Sequence, residues 1–303
     1  MVHRLRVFIS NLLSNCSVVC LQALAKLPLP MQLWLGKLLG IVLYYCLPRR
    51  RRIAAANLQL CFPELSPKQL QQLVMECLIE NGRGLLESAR AWWGNMQPIF
   101  DNAEVHGREH LHNLAKDQAC LLIGAHFTTL DLGGRIIANV WPLSILYRPF
   151  NNKTFDQAVL VSRLQSYHRV IDKNKMRDLV RSVRQCETLW YPADQDYGPK
   201  DSVFAPFFDV PAASLATTAG LAKLCDYQLL TVYHHRLASG RYRIEFREIK
   251  TDAVDAVGIA SAANEAIEAG IRMYPAQYMW IHRRFKTRPA HCKPVYGSSG
   301  SGK

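Results

Sequence analysis

Between residues 119 and 131 the chain reads Ala-Cys-Leu-Leu-Ile-Gly-Ala-His-Phe-Thr-Thr-Leu-Asp, an apolar run ending in an imidazole and, four intervening residues later, a carboxylate. Residues 119–125 have the unbroken apolar character of a buried strand, and residues 128–140 the spacing of a helix. His126 therefore stands at the carboxyl end of a strand, where open α/β sheets bind their ligands. Asp131 falls in the first helical turn, from which a carboxylate can hold one imidazole nitrogen and leave the other as a general base. Such a base needs a hydroxyl to deprotonate and an electrophile for that hydroxyl to attack. A structural reading competes. Thr128 and Asp131 also have the spacing of a capping box, and an acid there suits the helix dipole. Taken alone, the pair does not separate the two.

The turn has to be held by elements on either side of it. Ser66-Pro67 opens a helix with a capping hydroxyl and a proline at the first helical position, and apolar spacing carries that helix to Trp92-Trp93. Downstream, residues 144–147, 169–172 and 188–193 read as strands, and residues 155–167, 175–185, 214–225 and 253–273 as helices. Residues 229–236 and 242–249 form a hairpin across Ser239-Gly240. Strands alternating with helices predict an α/β fold, with a mixed, mostly parallel sheet flanked by helices. Residues 297–303 are Gly/Ser-rich and read as a disordered end.

The formal net charge of +13 on 303 residues calls for an anionic partner. No paired-cysteine zinc pattern and no aromatic RNA-binding signature is present, which argues against nucleic acid and for a membrane. The nine cysteines are an odd number, and no two have a two-residue gap, so they read as buried, reduced thiols. Residues 7–25 carry no charge, and residues 31–47 carry only Lys37 before Arg49-Arg50-Arg51-Arg52. Each run approaches the roughly 20 residues that cross a bilayer. One weak span, two helices in the interface and an apolar cap on a soluble domain all fit. The arginine run favours attachment, since it suits cytoplasmic anionic headgroups. The expected organisation is an amino-terminal membrane-associated helical segment over 1–48, a catalytic domain over 49–292 and a tail over 293–303.

Four further stretches narrow the reading: residues 57–64 (Asn-Leu-Gln-Leu-Cys-Phe-Pro-Glu), Tyr147-Arg148-Pro149, residues 194–199 (Asp-Gln-Asp-Tyr-Gly-Pro) and residues 278–289 (Tyr-Met-Trp-Ile-His-Arg-Arg-Phe-Lys-Thr-Arg-Pro). With the histidine-acid motif, they resemble the late acyltransferases of bacterial lipid A biosynthesis, the Kdo-dependent lauroyl and myristoyl transferases of the glycerolipid acyltransferase superfamily. The likeness covers nearly the whole chain. The histidine-acid motif is moderately specific, and the last stretch highly so.

The resemblance implies a fatty acyl chain moved from acyl carrier protein to the hydroxyl of a 3-hydroxyacyl chain on Kdo2-lipid IVA, with lauroyl as the expected chain. It implies His126 as base, Asp131 as its partner and Arg163 in support; many members carry glutamate where this chain has Asp131. Arg148, Arg283, Arg284, Lys286 and Arg288 would meet phosphates and sugar carboxylates, for which arginine's planar fork is suited. Asp194 and Asp196 would contact the sugar or hold those cations. A thioester is already activated, so no cofactor and no metal is expected. The implied partners are acyl carrier protein, the Kdo2-lipid A precursor and lipids of the bacterial inner membrane, with the catalytic domain on the cytoplasmic side. The rivals are the later myristoyl or the palmitoleoyl transferase, a phospholipid acyltransferase, against which the residue 283–289 block speaks, and a non-enzymatic lipid-docking protein.

Overall fold

The computed structural model describes residues 15–114, 118–222 and 227–296; residues 1–14 of the expected membrane segment, Cys225 and the end from 297 lie outside them. The chain enters through helices α1 (Asn15–Ala25) and α2 (Leu29–Cys46). By length and composition α2 is apolar enough to cross a membrane. It has two faces. Gln32, Gly36, Gly40 and Tyr44, spaced by four, are buried, while Met31, Trp34, Leu38, Val42 and Tyr45 are exposed.

The buried face packs on the 27-residue helix α4 (Pro67–Trp93). A Cβ on Gly36 would lie 2.6 Å from Arg83 Cα, and one on Gly40 2.3 Å from Ile79 Cα. Only glycine lets the backbones approach so closely. The start of α4 is at Ser66-Pro67 as the sequence predicts, with Ser66 accepting from the Gln69 amide, and the Gln69 side chain adds a bond the sequence reading did not include by accepting from the Ser66 amide. The arginine run does more than close α2. Pro48 sits at a helix start, and residues 49–52 form the first turn of α3 (Pro48–Cys61).

Seven strands form one sheet in the order β1-β9-β8-β2-β5-β3-β4. They are β1 (Glu104–His106), β2 (Ala119–Gly124), β3 (Ser144–Tyr147), β4 (Arg169–Asp172), β5 (Thr188–Pro192), β8 (Tyr227–Arg236) and β9 (Tyr242–Glu248). The run β8-β2-β5-β3-β4 is parallel throughout, and β9 returns antiparallel to β8 through Gly240, at φ +81°. The mixed, mostly parallel sheet is as expected. Helices α7 (Leu130–Val140), α8 (Lys153–Leu164), α9 (Met176–Arg184) and α11 (Ala256–Met273) flank it, with short α5 (Gln97–Phe100) and α6 (Glu109–His112) nearer the start.

Residues 214–225, expected as one helix, divide differently. Ser214 and Leu215 end a strand, β7 (Val210–Leu215), which pairs antiparallel with β6 (Ser202–Phe207), and helix α10 spans only Thr217–Ala222. The connecting residues Phe208 and Asp209 have φ of 50° and 59°. That is hairpin-turn geometry without the Asn-Gly or Asp-Gly that announces it.

Central strand β2 is buried along its whole length. Leu121 and Ile123 face the layer of α9 and α11, and Cys120 and Leu122 the layer of α7. Each fully buried aliphatic side chain contributes about 2 kcal/mol, so both layers fix the strand that leads to His126. Cys61, Cys77 and Cys120 are buried free thiols as expected, whereas Cys16, Cys20 and Cys46 are exposed.

Candidate active site

His126 follows the last residue of β2 by two positions, and Asp194 follows the last residue of β5 by two. The register pairs Gly124 with Pro192, so adjacent parallel strands deliver the two side chains to one spot. His126 Nδ1 lies 2.7 Å from Asp194 Oδ1, and the His126 amide donates to Oδ2 at 3.0 Å. Burial alone would raise the Asp194 carboxyl. The neighbouring His126 imidazole, its two hydrogen bonds and one from Tyr278 outweigh that and hold it at about 2. An ionised carboxylate on Nδ1 keeps the proton there and leaves Nε2 as a lone-pair nitrogen. Among the described residues no protein hydrogen bond claims Nε2, and the imidazole lines a cavity of about 420 Å³.

Asp131 faces the same cavity, yet its hydrogen bonds run elsewhere. Its Oδ1 accepts from Arg163 at 2.7 Å and from the Trp92 indole at 2.9 Å. The partner expected on the imidazole is thus Asp194 in place of Asp131, because the opening turn of α7 aims Asp131 at the end of α4 and at α8. Ser162 Oγ, donating to Trp92 O at 2.6 Å, holds those two helices together. Burial works against the charge of Arg163, but Asp131 more than offsets it and raises the guanidinium. That guanidinium lies 6.0 Å from the Trp92 ring and 5.4 Å from the Tyr147 ring.

The capping-box alternative does not describe this turn. Helix α7 has no side-chain cap, and Thr128 Oγ is buried without a partner. Thr129 instead donates to His234 O at 2.7 Å and lies 2.9 Å from His234 Nδ1. The far end of the chain pins the turn from the other side, with Thr128 N donating to Gln277 O at 2.7 Å and Met279 N to His126 O at 2.9 Å. Burial, then the neighbouring His126, push His234 down to about 3, so it stays neutral. Gly84 of α4 completes the frame: a Cβ there would sit 2.5 Å from Thr128 O.

Arg148 lines the cavity. The other expected polar contacts separate. Asp196 accepts from Thr287 N and Oγ, and from Gly198 N, which ties the carboxy-terminal loop to the domain. Arg284 is 1% exposed and donates to Ala213 O and Ser214 Oγ. Burial lowers its guanidinium. Arg283 lies over Tyr296, Arg288 donates to Pro211 O, and Lys286 is exposed. The expectation of one basic patch over residues 283–288 is corrected: the irregular backbone turns these cations in different directions, one of them into the interior. Trp280 is buried, and its indole donates to Pro275 O. Trp92 and Tyr278 are the site residues that sequence reasoning missed. For Trp92 the signal was slight: an indole N–H at the end of a long amphipathic helix seeks an acceptor wherever that end is covered.

The profile of the family described as bacterial lipid A biosynthesis acyltransferase matches residues 6–287. The chain is 36% identical to the lipid A biosynthesis lauroyltransferase of Escherichia coli (strain K12) over 87% of its length and 88% of that protein's. It is 35% identical to the palmitoleoyltransferase of the same organism over 89% and 90%. To that organism's myristoyltransferase it is 26% identical over 80% and 78%.

Proposed function

The chain belongs to the bacterial lipid A biosynthesis acyltransferases, which are O-acyltransferases, and we propose that it moves a lauroyl chain from acyl carrier protein to a 3-hydroxyacyl hydroxyl of Kdo2-lipid IVA. The observation that carries the mechanism is an imidazole with Nδ1 taken by a buried carboxylate and Nε2 unclaimed beside the cavity. Nε2 takes the proton of the acceptor hydroxyl as its oxygen attacks the thioester carbonyl. The tetrahedral intermediate then collapses, the carbon–sulfur bond breaks, and the leaving sulfur receives that proton from the imidazolium. Asp194 stabilises the imidazolium and holds the ring in one tautomer, without taking the proton itself.

The oxyanion needs donors already in place. The amides of His126, Phe127, Thr128 and Leu130 are committed to Asp194, Ala125, Gln277 and Phe127. Arg163 lines the cavity and has a buried Nε without a partner, so it is the donor we assign. Asp131 then serves as a positioning residue that fixes the Arg163 fork. Arg148, at the same cavity, meets an acceptor phosphate. The exposed stripe of α2, with Trp34 and Tyr45 on it, beds into the surface of the inner membrane from the cytoplasmic side.

Nearly equal identity to a palmitoleoyltransferase keeps that chain as the second reading. Offering the purified protein Kdo2-lipid IVA with a mixed pool of C12, C14 and C16:1 carrier thioesters, and weighing the product by mass spectrometry, tests both. A single addition of lauroyl is expected. Addition of C16:1 in its place selects the second reading, and no addition to this acceptor refutes both.

A further inference from the structure

Helix α9 carries charge that the proposed mechanism does not use. Leu179, Ser182 and Val183 bury one face against β2 and β5. On the other face Arg177, Arg181 and Arg184 recur at intervals of four and three, and all are exposed, as are Lys173 and Lys175 just ahead of the helix. Among these five cations the only salt bridge is Arg181 with Asp178, at 3.9 Å. Between them runs a groove of about 440 Å³, lined by Met176, Val180 and the three arginines. Met176 is 51% exposed there. An apolar strip bordered by exposed cations, of which Arg181 alone has an acidic neighbour, is complementary to an amphipathic, acidic helix.

The position relates this face to the cavity. Lys173 N donates to Tyr147 O at 2.9 Å, and the next residue along from Tyr147 is Arg148, which lines the cavity. The nine-residue helix is about 13 Å long, so a protein seated on it stands within reach of the site for a flexible acyl-bearing arm.

We propose that the exposed face of α9, with Lys173 and Lys175, is the docking surface for the acidic protein that carries the acyl thioester. This rests on the reading that the donor is carrier-bound. A membrane is the less suitable occupant. The face has no aromatic ring of the kind that anchors in a bilayer interface, and the stripe with Trp34 and Tyr45 belongs to α2, which packs on α4.

The test compares the full-length protein with the triple variant Arg177→Glu, Arg181→Glu, Arg184→Glu and the milder triple exchange to Ala. Initial rates are taken with one acyl chain on two donors, acyl carrier protein and pantetheine. Floating on phosphatidylglycerol vesicles is measured in parallel. For the carrier donor, KM should rise roughly tenfold or more in the Glu variant, less in the Ala variant, and lose much of its salt dependence. The kcat/KM for acyl-pantetheine and the vesicle binding should stay within about twofold of wild type.

An unchanged carrier KM in variants that keep the acyl-pantetheine rate removes α9 as the docking face. Loss of vesicle binding with that KM unchanged assigns the face to the membrane instead. A wild-type protein that uses acyl-pantetheine as well as the carrier donor fails the donor reading itself, and the docking surface with it. If both donors fall together in the Glu and the Ala variants alike, α9 supports the fold and the proposal is wrong.

Discussion

Helix α4 serves two polar clusters, one closed and one open. In the closed cluster Glu87, fully buried, accepts from Arg236 at 2.5 Å and from the Tyr242 hydroxyl at 2.6 Å. Glu80 pairs with Arg236 and Arg83. All three guanidinium nitrogens of Arg90 are spent, on Gln32, Asn95 and Leu27. Five residues beyond Glu87, Trp92 joins the open cluster through Asp131 and Arg163. The residue types and distances are alike. What differs is the group on offer: each cluster holds unpaired atoms, Arg83 Nε and Glu87 Oε2 in one and Arg163 Nε in the other, and each touches a cavity, but only the open one presents an imidazole, whose Nε2 has no protein partner among the described residues. A buried charge network of acids and arginines holds the fold, and becomes a candidate site where it sets a proton-exchanging imidazole beside a void.

The contrast breaks most visibly at His126. His126→Ala should cut turnover by roughly 10²–10⁴-fold, the range of a positioned general base, in a protein that still folds but melts somewhat lower because buried Asp194 loses its partner. Asp194→Asn should approach that loss, because an amide removes the charge opposite the imidazolium and can present its NH₂ to the ring, reversing the tautomer. Steady-state rates beside thermal melts check both, and near-wild-type activity in either would end its assigned role.

In the closed cluster the effect should move from rate to stability. Glu87→Ala leaves Arg236 buried with one partner fewer, and should cost about 3 kcal/mol in urea unfolding while the folded fraction keeps its kcat. A collapse of kcat at intact stability would show that the two clusters work as one.

Asp131 tests the boundary between them. Asp131→Asn should lower kcat by roughly 10- to 100-fold through a displaced Arg163, less than Asp194→Asn. Asp131→Glu, which keeps the charge opposite Arg163, should retain measurable activity. A loss in Asp131→Asn equal to that in Asp194→Asn would place Asp131 on the histidine after all.

The smallest effect is the dependence on acid. The Asp194 carboxyl is held at about 2 against an ordinary 3.8. Its folded pKa is depressed, so its contribution is complete above the ordinary value and lost as pH falls from about 4 toward 2. It amounts to about 2 kcal/mol. Urea midpoints at pH 6 and pH 3 should therefore converge in Asp194→Asn relative to wild type. Parallel shifts in both proteins would contradict it.

Much of this was legible in the chain. The Ser66-Pro67 helix start, the buried strand before His126 and the 239–240 hairpin all rest on local rules, and each element formed where those rules put it. The apolar composition of α2 was legible too, but its second task was not: Gly36 and Gly40 fit Gly82 and Ile79 of a helix some forty residues away. The β6-β7 hairpin was hidden because Phe208-Asp209 makes its turn without the usual residues. The basic run at 283–288 misled because charge spacing carries no direction where no regular helix or strand sets one.

The amino-acid sequence by itself determined the kind of chemistry: a histidine at a strand end, acids and arginines in reach, and an apolar core around them. Which acid serves the histidine was decided by tertiary structure alone. Asp131 is five residues from His126 and Asp194 sixty-eight, yet the parallel register of β2 and β5 sets Asp194 on Nδ1 while the first turn of α7 carries Asp131 away to Arg163. Nearness along a chain fixes backbone path. The direction of a side chain, and so its hydrogen-bond partner, depends on strands and helices that meet only after folding.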